Sequence, residues 1–323
     1  EVIWGAGYRL ALENLEGTYN ATYVPSRRQD QVFSAFIQDE LTLVPERLFF
    51  TAGTKLEHND YTGWEWQPGG RLRFSATDRQ TFWASVSRAV RTPAIFEHNA
   101  AANIALPSAP GLTAAIAGNT GFRSEELIAY EAGYRLGLGE NVFLDWAVFY
   151  NEYDHLRTSE RGALIPGSPA RLPITYGNQL EGESYGVEFA PHWQVSDFWR
   201  LSAGYALLRM NLQRGAESTD LGSEGAEGDS PEQQFQLRSF LDLPSHLEFD
   251  SALYYVDSLP NQGVASYVRL DLRLGWRPRR DLELSLAFLN LLDPRHPEFG
   301  SSAPLVTPAE IERSIYGKVT WRF

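Results

Sequence analysis

The side chains that most often carry out catalysis show no catalytic arrangement in this sequence of 323 residues. It has no cysteine, which excludes a thiol nucleophile, a thiolate metal site and disulfides. None of its six histidines has metal-binding spacing, and none is ordered with a nucleophile and an orienting acid as in hydrolases. The Gly-x-Ser-x-Gly and His-Glu-x-x-His patterns are also missing. We therefore expect neither an enzyme nor a resident metal or cofactor.

The charged residues give two further indications. The net charge of -13 excludes a general nucleic-acid binder, which would need a basic surface. Carboxylates are concentrated in and beside a Gly-rich and Ser-rich segment, at Glu217, Asp220, Glu224, Glu227, Asp229 and Glu232. They could hold divalent cations loosely, but they lack the spacing of a cation-binding loop. We interpret this segment as a mobile, solvated loop.

The elements that must position any functional side chain are predicted by a hydrophobic period of two. Over residues 282–288, one set is Leu282, Leu284, Leu286 and Phe288, and the alternate set is Glu283, Ser285 and Ala287. The same alternation recurs along most of the chain, and no run of about 20 apolar residues could form a spanning helix. About 14 strands are predicted, near residues 1–10, 31–43, 47–58, 64–76, 80–91, 125–138, 141–154, 173–194, 197–210, 232–243, 246–256, 264–276, 281–291 and 313–323.

The connections between these strands alternate in length. Tight turns rich in Pro, Asp, Asn and Ser alternate with longer connections near residues 11–30, 59–63, 92–124, 156–172, 211–231, 257–263 and 292–312. A soluble sandwich has no reason to place every long loop at one end, whereas transmembrane barrels have short periplasmic turns and long external loops. The fold class predicted is therefore all-β, an antiparallel transmembrane β-barrel.

Several short motifs resemble those of TonB-dependent outer-membrane receptors, and they occur in a matching order. They are Phe36–Glu40, Ser87–Pro93, Phe122–Leu127, Tyr130–Arg135, Tyr185–Glu188, Asn290–Asp293 and Trp321–Phe323. The last strand alternates and ends at Phe323, which resembles the signal read by the barrel-assembly machinery, although a soluble sheet could also close this way. The resemblance implies a bacterial outer-membrane receptor that imports a scarce, bulky nutrient such as a ferric siderophore or haem.

The same resemblance implies a larger protein than this chain. It implies a barrel of 22 strands, preceded by a plug domain and by a short box that contacts TonB. At about 23 residues per strand, 22 strands would need roughly 500 residues. Because the chain starts at Glu1 without a signal peptide, a plug or a box, residues 1–323 are interpreted as one carboxy-terminal barrel fragment that reaches the TonB system only through the missing plug. The alternative is an independent 14-stranded, porin-like passive channel.

Two sets of candidate site residues follow from this interpretation. Alternation places nine charged side chains on the lumen face, namely Arg135, Glu188, Arg200, Arg238, Glu248, Asp250, Arg269, Asp271 and Arg273. These charges could contact a plug or simply hydrate the wall. The ligand-binding candidates are His98, Arg91, Tyr61, Trp64 and Trp66.

His98 is a candidate because haem receptors carry an axial histidine between similar motifs, although Thr92 replaces their Ala and Asn119–Phe122 lacks their Pro and Leu. A solvated loop histidine is the alternative. The three aromatic residues could stack on a ligand. They could equally belong to the aromatic girdle at the membrane interface.

Overall fold

The computed structural model describes residues 1–18, 20–106, 109–300 and 309–323. Its strands are β1 (Val2–Asn14), β2 (Ala21–Tyr23), β3 (Arg27–Val44), β4 (Leu48–Asn59), β5 (Gly63–Thr77), β6 (Gln80–Arg91), β7 (Ala100–Ala105), β8 (Leu112–Ala117), β9 (Glu125–Leu138), β10 (Val142–Arg161), β11 (Ala170–Ser196), β12 (Trp199–Arg214), β13 (Gln233–Leu243), β14 (Leu247–Val256), β15 (Tyr267–Arg279), β16 (Leu282–Leu289), β17 (Arg295–Pro297), β18 (Glu310–Glu312) and β19 (Ser314–Trp321). The helix α1 covers Ile95–Asn99, and short 3₁₀ helices cover Ser223–Asp229, Pro244–His246 and Pro260–Gln262. None of the helices in the described ranges is long and apolar enough to cross a bilayer.

Fourteen strands of the described chain form one wall, in agreement with the predicted number. Each pairs with the next antiparallel neighbour in the order β1, β3, β4, β5, β6, β9, β10, β11, β12, β13, β14, β15, β16 and β19. The remaining strands lie in the connections. Among the residues described, β1 and β19 do not pair with each other, so the wall has two free edges.

The connections alternate as the sequence predicts. Six tight turns join wall strands at one end, which we call the turn end, and the longer connections lie at the other, the loop end. In the turn between β9 and β10, Gly139 takes a positive φ of 66°, which costs glycine little. The connection expected near residues 59–63 is a tight turn at the loop end, with residues 60–62 between β4 and β5. The Asn59 side-chain oxygen closes that turn by accepting hydrogen bonds from the backbone amides of Tyr61 and Thr62, at 2.9 Å each.

One face of the wall is apolar and exposed. Stacked or near-stacked rings cross it from strand to strand, with centroid distances of 6.5, 4.4, 5.7 and 4.9 Å along Phe74, Phe82, Tyr134, Trp146 and Phe189. Val148, Leu274 and Trp193 on the same face are about half exposed. An apolar surface this continuous is unfavourable in water and suits contact with lipid.

The opposite face is polar, and the register places all nine predicted lumen residues on it. Across neighbouring strands, Arg135 is paired with Asp145. Glu188 is paired with Ala147 and Ala206, and Arg238 is paired with Ser202 and Ala252. On β14 and β15, Asp250 faces Arg273, and Ala252 faces Asp271. Residues two apart on one strand share a face, and so do residues paired across neighbouring strands. All nine charged residues therefore lie on the polar face.

An arginine placed on each face in turn tests this assignment. Leu272→Arg puts a charge on the apolar face and should lower the free energy of unfolding by about 2–4 kcal/mol near the bilayer midplane. Ala252→Arg is the matched control, because Ala252 lies on the polar face opposite Asp271. Chemical denaturation in lipid vesicles measures both. Equal losses in the two variants would mean that the faces are assigned wrongly.

Candidate ligand-binding site at the loop end

The connections at the loop end fold into a layer across the wall. The segment of residues 92–124, which we call the platform, contains α1, β7 and β8. Its strand β7 pairs with β2, and β8 runs parallel to the extended start of β11. Gly118 packs on the start of this layer so closely that a Cβ there would lie 2.6 Å from the His98 carbonyl carbon. The described part of the platform, residues 92–106 and 109–124, is therefore a packed structure joined to two other parts of the chain, β2 and β11.

A buried carboxylate joins the platform to the wall. Glu97 on α1 is 3% exposed and accepts two hydrogen bonds from Arg91, at 3.0 and 2.9 Å, and one from Arg157 at 3.1 Å. The Ala94 amide donates a fourth at 2.8 Å. Burial would raise the pKa of the Glu97 carboxyl, but these hydrogen bonds and the two guanidinium charges outweigh it and hold the pKa below its ordinary value. Glu97 is therefore ionised at neutral pH.

His98 and Tyr61 meet on the other side of α1. Their rings contact edge to face with centroids 5.1 Å apart, and Arg28 lies 4.2 Å over the Tyr61 ring. The Tyr61 hydroxyl donates to Asp30 at 3.0 Å, and burial together with this bond raises the pKa of the phenol. The His98 Nδ1 lies 3.0 Å from the Asn99 side-chain oxygen. These contacts give both rings packing roles, and haem ligation by His98 stays a prediction.

The structure separates the two tryptophans from the other candidates. Arg91, Tyr61 and His98 are all at the loop end, where Tyr61 contacts His98 and Arg91 contacts Glu97, whereas Trp64 and Trp66 lie on the apolar face. They are 67% and 60% exposed there, and the Trp64 ring packs edge-on against His58 at 4.9 Å. This position favours the membrane-girdle explanation for the two tryptophans.

The acidic segment of residues 215–232 is held in place by its own carboxylates, so its interpretation as a solvated loop is wrong at Asp220. That side chain is 2% exposed and accepts hydrogen bonds from the Gly222 amide at 2.6 Å, the Ser223 amide at 2.9 Å, the Ser223 hydroxyl at 2.5 Å and the Ser159 amide. Burial would raise the pKa of this carboxyl, but the hydrogen bonds lower it below its ordinary value. Glu224 and Glu227 similarly accept backbone amides of β12.

An open cavity of about 830 Å³ lies between the acidic segment and the ends of β10, β11 and β12. Its lining combines charged and apolar side chains, among them Arg91, Arg157, Arg161, Tyr153, Leu180 and Met210. Such a mixture suits a ligand of small-molecule size that has both charged and apolar parts. No group of three or more His, Asp or Glu side chains in the described ranges is arranged to hold a metal ion.

Sequence reasoning missed the residues that organise this site. Glu97 and Arg157 belong to no motif and are 60 positions apart. The available signal for Glu97 was its position four residues after Pro93, where an acidic side chain can accept amides at the start of a helix. Nothing in the sequence pairs Arg157 with it.

On the polar face, most of the nine predicted charges are compensated by neighbours. Arg273 bonds Glu248, Asp250 and Glu283 at 2.9, 2.8 and 3.2 Å. Arg135 pairs with Asp145 at 3.0 Å, and Arg269 pairs with Asp271 at 2.8 Å. The other three, Glu188, Arg200 and Arg238, have no ion-pair partner within the described part of the chain.

A wall of antiparallel strands with one exposed apolar face, tight turns at one end and long connections at the other is the architecture of an outer-membrane β-barrel. A family model described as "TonB dependent receptor-like, beta-barrel" matches residues 2–291, and the chain belongs to this family. It is therefore an outer-membrane protein, as its sequence predicted.

Named relatives agree with this family. The chain is 32% identical over 69 residues to the ferric enterobactin receptor of Pseudomonas aeruginosa, covering 21% of this chain and 9% of the relative. It is 27% identical over 151 residues to the probable TonB-dependent siderophore receptor PiuA of Acinetobacter baumannii, covering 43% and 20%. The crystal structure of a ferric enterobactin receptor variant from Pseudomonas aeruginosa matches with a TM-score of 0.75 at 17% identity, over 100% of this chain and 51% of that one. The chain thus spans about half the length of that structure.

Replacing Asp220 tests how the acidic segment is held. Asp220→Asn substitutes an amide nitrogen for one carboxylate oxygen, so donors would meet donors. We expect the free energy of local opening at residues 215–232 to fall by about 1–3 kcal/mol. Hydrogen exchange of the Ser159, Gly222 and Ser223 amides measures it. The control is Glu217→Gln, because Glu217 is exposed and makes no hydrogen bond in the ranges described.

The parent protein should show a matching pH dependence. Because the pKa of Asp220 is lowered in the folded state, its stabilisation is complete above the ordinary aspartate value and is lost as the pH falls through the lowered one. Protection of the three amides should therefore decline below about pH 3.9 in the parent and vary less in Asp220→Asn. Identical pH profiles in the two proteins would contradict the assignment.

Proposed function

We propose that this chain forms wall strands and external loops of a TonB-dependent receptor that imports a ferric siderophore across the bacterial outer membrane. The observation that carries the proposal is the family match over residues 2–291. The names of the two relatives point to siderophores as the cargo class, and this favours a siderophore over haem. The proposal concerns a receptor longer than this chain, with the TonB system acting through a plug outside it.

The loop end is the entrance in this proposal. Ligand binds in the cavity beside the platform, where Arg91 and Arg157 supply positive charge and Tyr153 and Met210 supply apolar surface. Tyr61 lines a separate open cavity together with residues 92–95, and the His98 ring contacts it. Trp64 and Trp66 anchor the wall at the interface. The polar face then lines the route inward, with Glu188, Arg200 and Arg238 open to a plug or to water.

The two free edges of the wall disfavour the alternative, a closed pore of 14 strands. In lipid, an unpaired strand edge leaves backbone groups without hydrogen bonds, at a cost of several kcal/mol for each group. The chain runs from the turn end to the loop end in β1 and in the reverse direction in β19. An even number of additional antiparallel strands therefore fits between these edges, as a 22-stranded barrel requires. We favour this completed wall, with assembly guided by the strand that leads to Phe323.

Energised uptake tests the proposal. In cells that express the receptor containing this chain, iron supplied as ferric enterobactin or as a ferric hydroxamate should accumulate only when the TonB system is intact. The reason is that a filled lumen gives no passive route to a bulky complex. Radioactive iron uptake, compared with and without TonB, is the measurement. Accumulation that is independent of TonB, together with a steady conductance in planar bilayers, would instead support the porin-like channel.

A further inference from the structure

Four charged residues, Arg91, Glu97, Glu125 and Arg157, form a neutral cluster beside the cavity, and all of them except Glu97 line it. Arg91 and Arg157 both donate to Glu97, and Arg91 also donates to Glu125 at 2.6 Å. Glu125 in turn accepts the Arg157 amide at 2.9 Å. The cluster therefore joins four elements at the loop end, which are the end of β6, the start of β9, the last part of β10 and α1.

Glu97 differs from the two arginines of the cluster in burial. It is 3% exposed, whereas the side chains of Arg91 and Arg157 are 46% and 53% exposed and line the cavity. The carboxylate thus binds both guanidinium groups from behind and leaves their outer surfaces to the cavity. Arg157 also lies 5.6 Å from the Tyr176 ring, which limits the positions that its guanidinium can take.

We propose that Glu97 is a positioning residue, whose negative charge fixes Arg91 and Arg157 in the cavity wall and keeps the platform docked on the barrel. This inference rests on the proposed ligand-binding function of the cavity. Held guanidinium groups lose less side-chain freedom when a ligand binds, so the ligand itself need not touch Glu97. Without the carboxylate charge, two neighbouring cations repel each other and α1 loses its link to β10.

The variant Glu97→Gln tests the charge, because it keeps the size of the side chain. In the complete receptor we expect affinity for ferric enterobactin to fall by about tenfold, since two arginines that are no longer held lose more side-chain freedom when the ligand binds. Hydrogen exchange across the platform should rise in the unliganded protein. The control is Glu126→Gln, which removes a neighbouring carboxylate that pairs with Arg88 on the apolar face. It should leave both measurements within about twofold of the parent.

A second variant separates positioning from simple structural support. If Glu97 acts through Arg157, then Glu97→Gln should cause a smaller loss of affinity in an Arg157→Gln background than in the parent. A loss of the same size in both backgrounds would overturn the proposal, as would unchanged affinity and exchange in Glu97→Gln. If Glu97→Gln alone fails to assemble, rescue by Arg157→Gln supports the proposal and failure of the double variant contradicts it.

Ligand binding and hydrogen exchange of the platform test the proposed function and the role of Glu97 separately. A parent receptor that binds no ferric siderophore removes the proposed function. Platform exchange in the unliganded variants then still decides whether the Glu97 charge holds the platform. Unchanged exchange in Glu97→Gln would reject the positioning role even in a receptor that binds ferric enterobactin tightly.

Discussion

The register of the antiparallel ladder is the constraint on which both faces of this wall depend. A shift of one residue between β14 and β15 would place Arg273 among lipid-facing side chains and Leu272 among the carboxylates. The cost is large on both faces, because charge is unfavourable in lipid and because Glu248 and Asp250 would lose their shared cation. Other neighbouring strands show the same division into an apolar and a polar face, so the register is specified locally at several places along the wall.

This redundancy explains why the wall could be predicted from sequence. Strands β6 and β9 have the bounds expected from alternation, at residues 80–91 and 125–138. Strands β10 and β11 run further than expected, to Arg161 and from Ala170. Beyond the alternating residues, these two strands continue into the loop layer and still pair with each other there. His155, with a φ of 58°, interrupts the register between them. Apolar and polar residues alternate along a strand when its two faces meet different surroundings. The alternation disappears where both faces of the strand contact other parts of the protein.

The loop end could not be predicted for the same reason. Strands β7 and β8 are rich in alanine and have no alternating pattern, and they form because β2 and β11 supply their partners. Glu97 is buried by contacts from residues far along the chain, and Asp220 is buried by its own turn and by Ser159. Sequence motifs located His98 and Arg91, but the contacts that give the site its shape are pairwise and distant.

The two-sided wall is the central claim, and an accessibility scan of β15 tests it most directly. Because the chain has no cysteine, single cysteines from Tyr267 to Trp276 can each carry a spin label without background. In lipid vesicles, collision with oxygen, which concentrates in lipid, should peak at Val268, Leu270, Leu272 and Leu274. Collision with a water-soluble nickel chelate should peak at the residues between them. Accessibility with no period of two, or with the two reagents exchanged, would contradict the account.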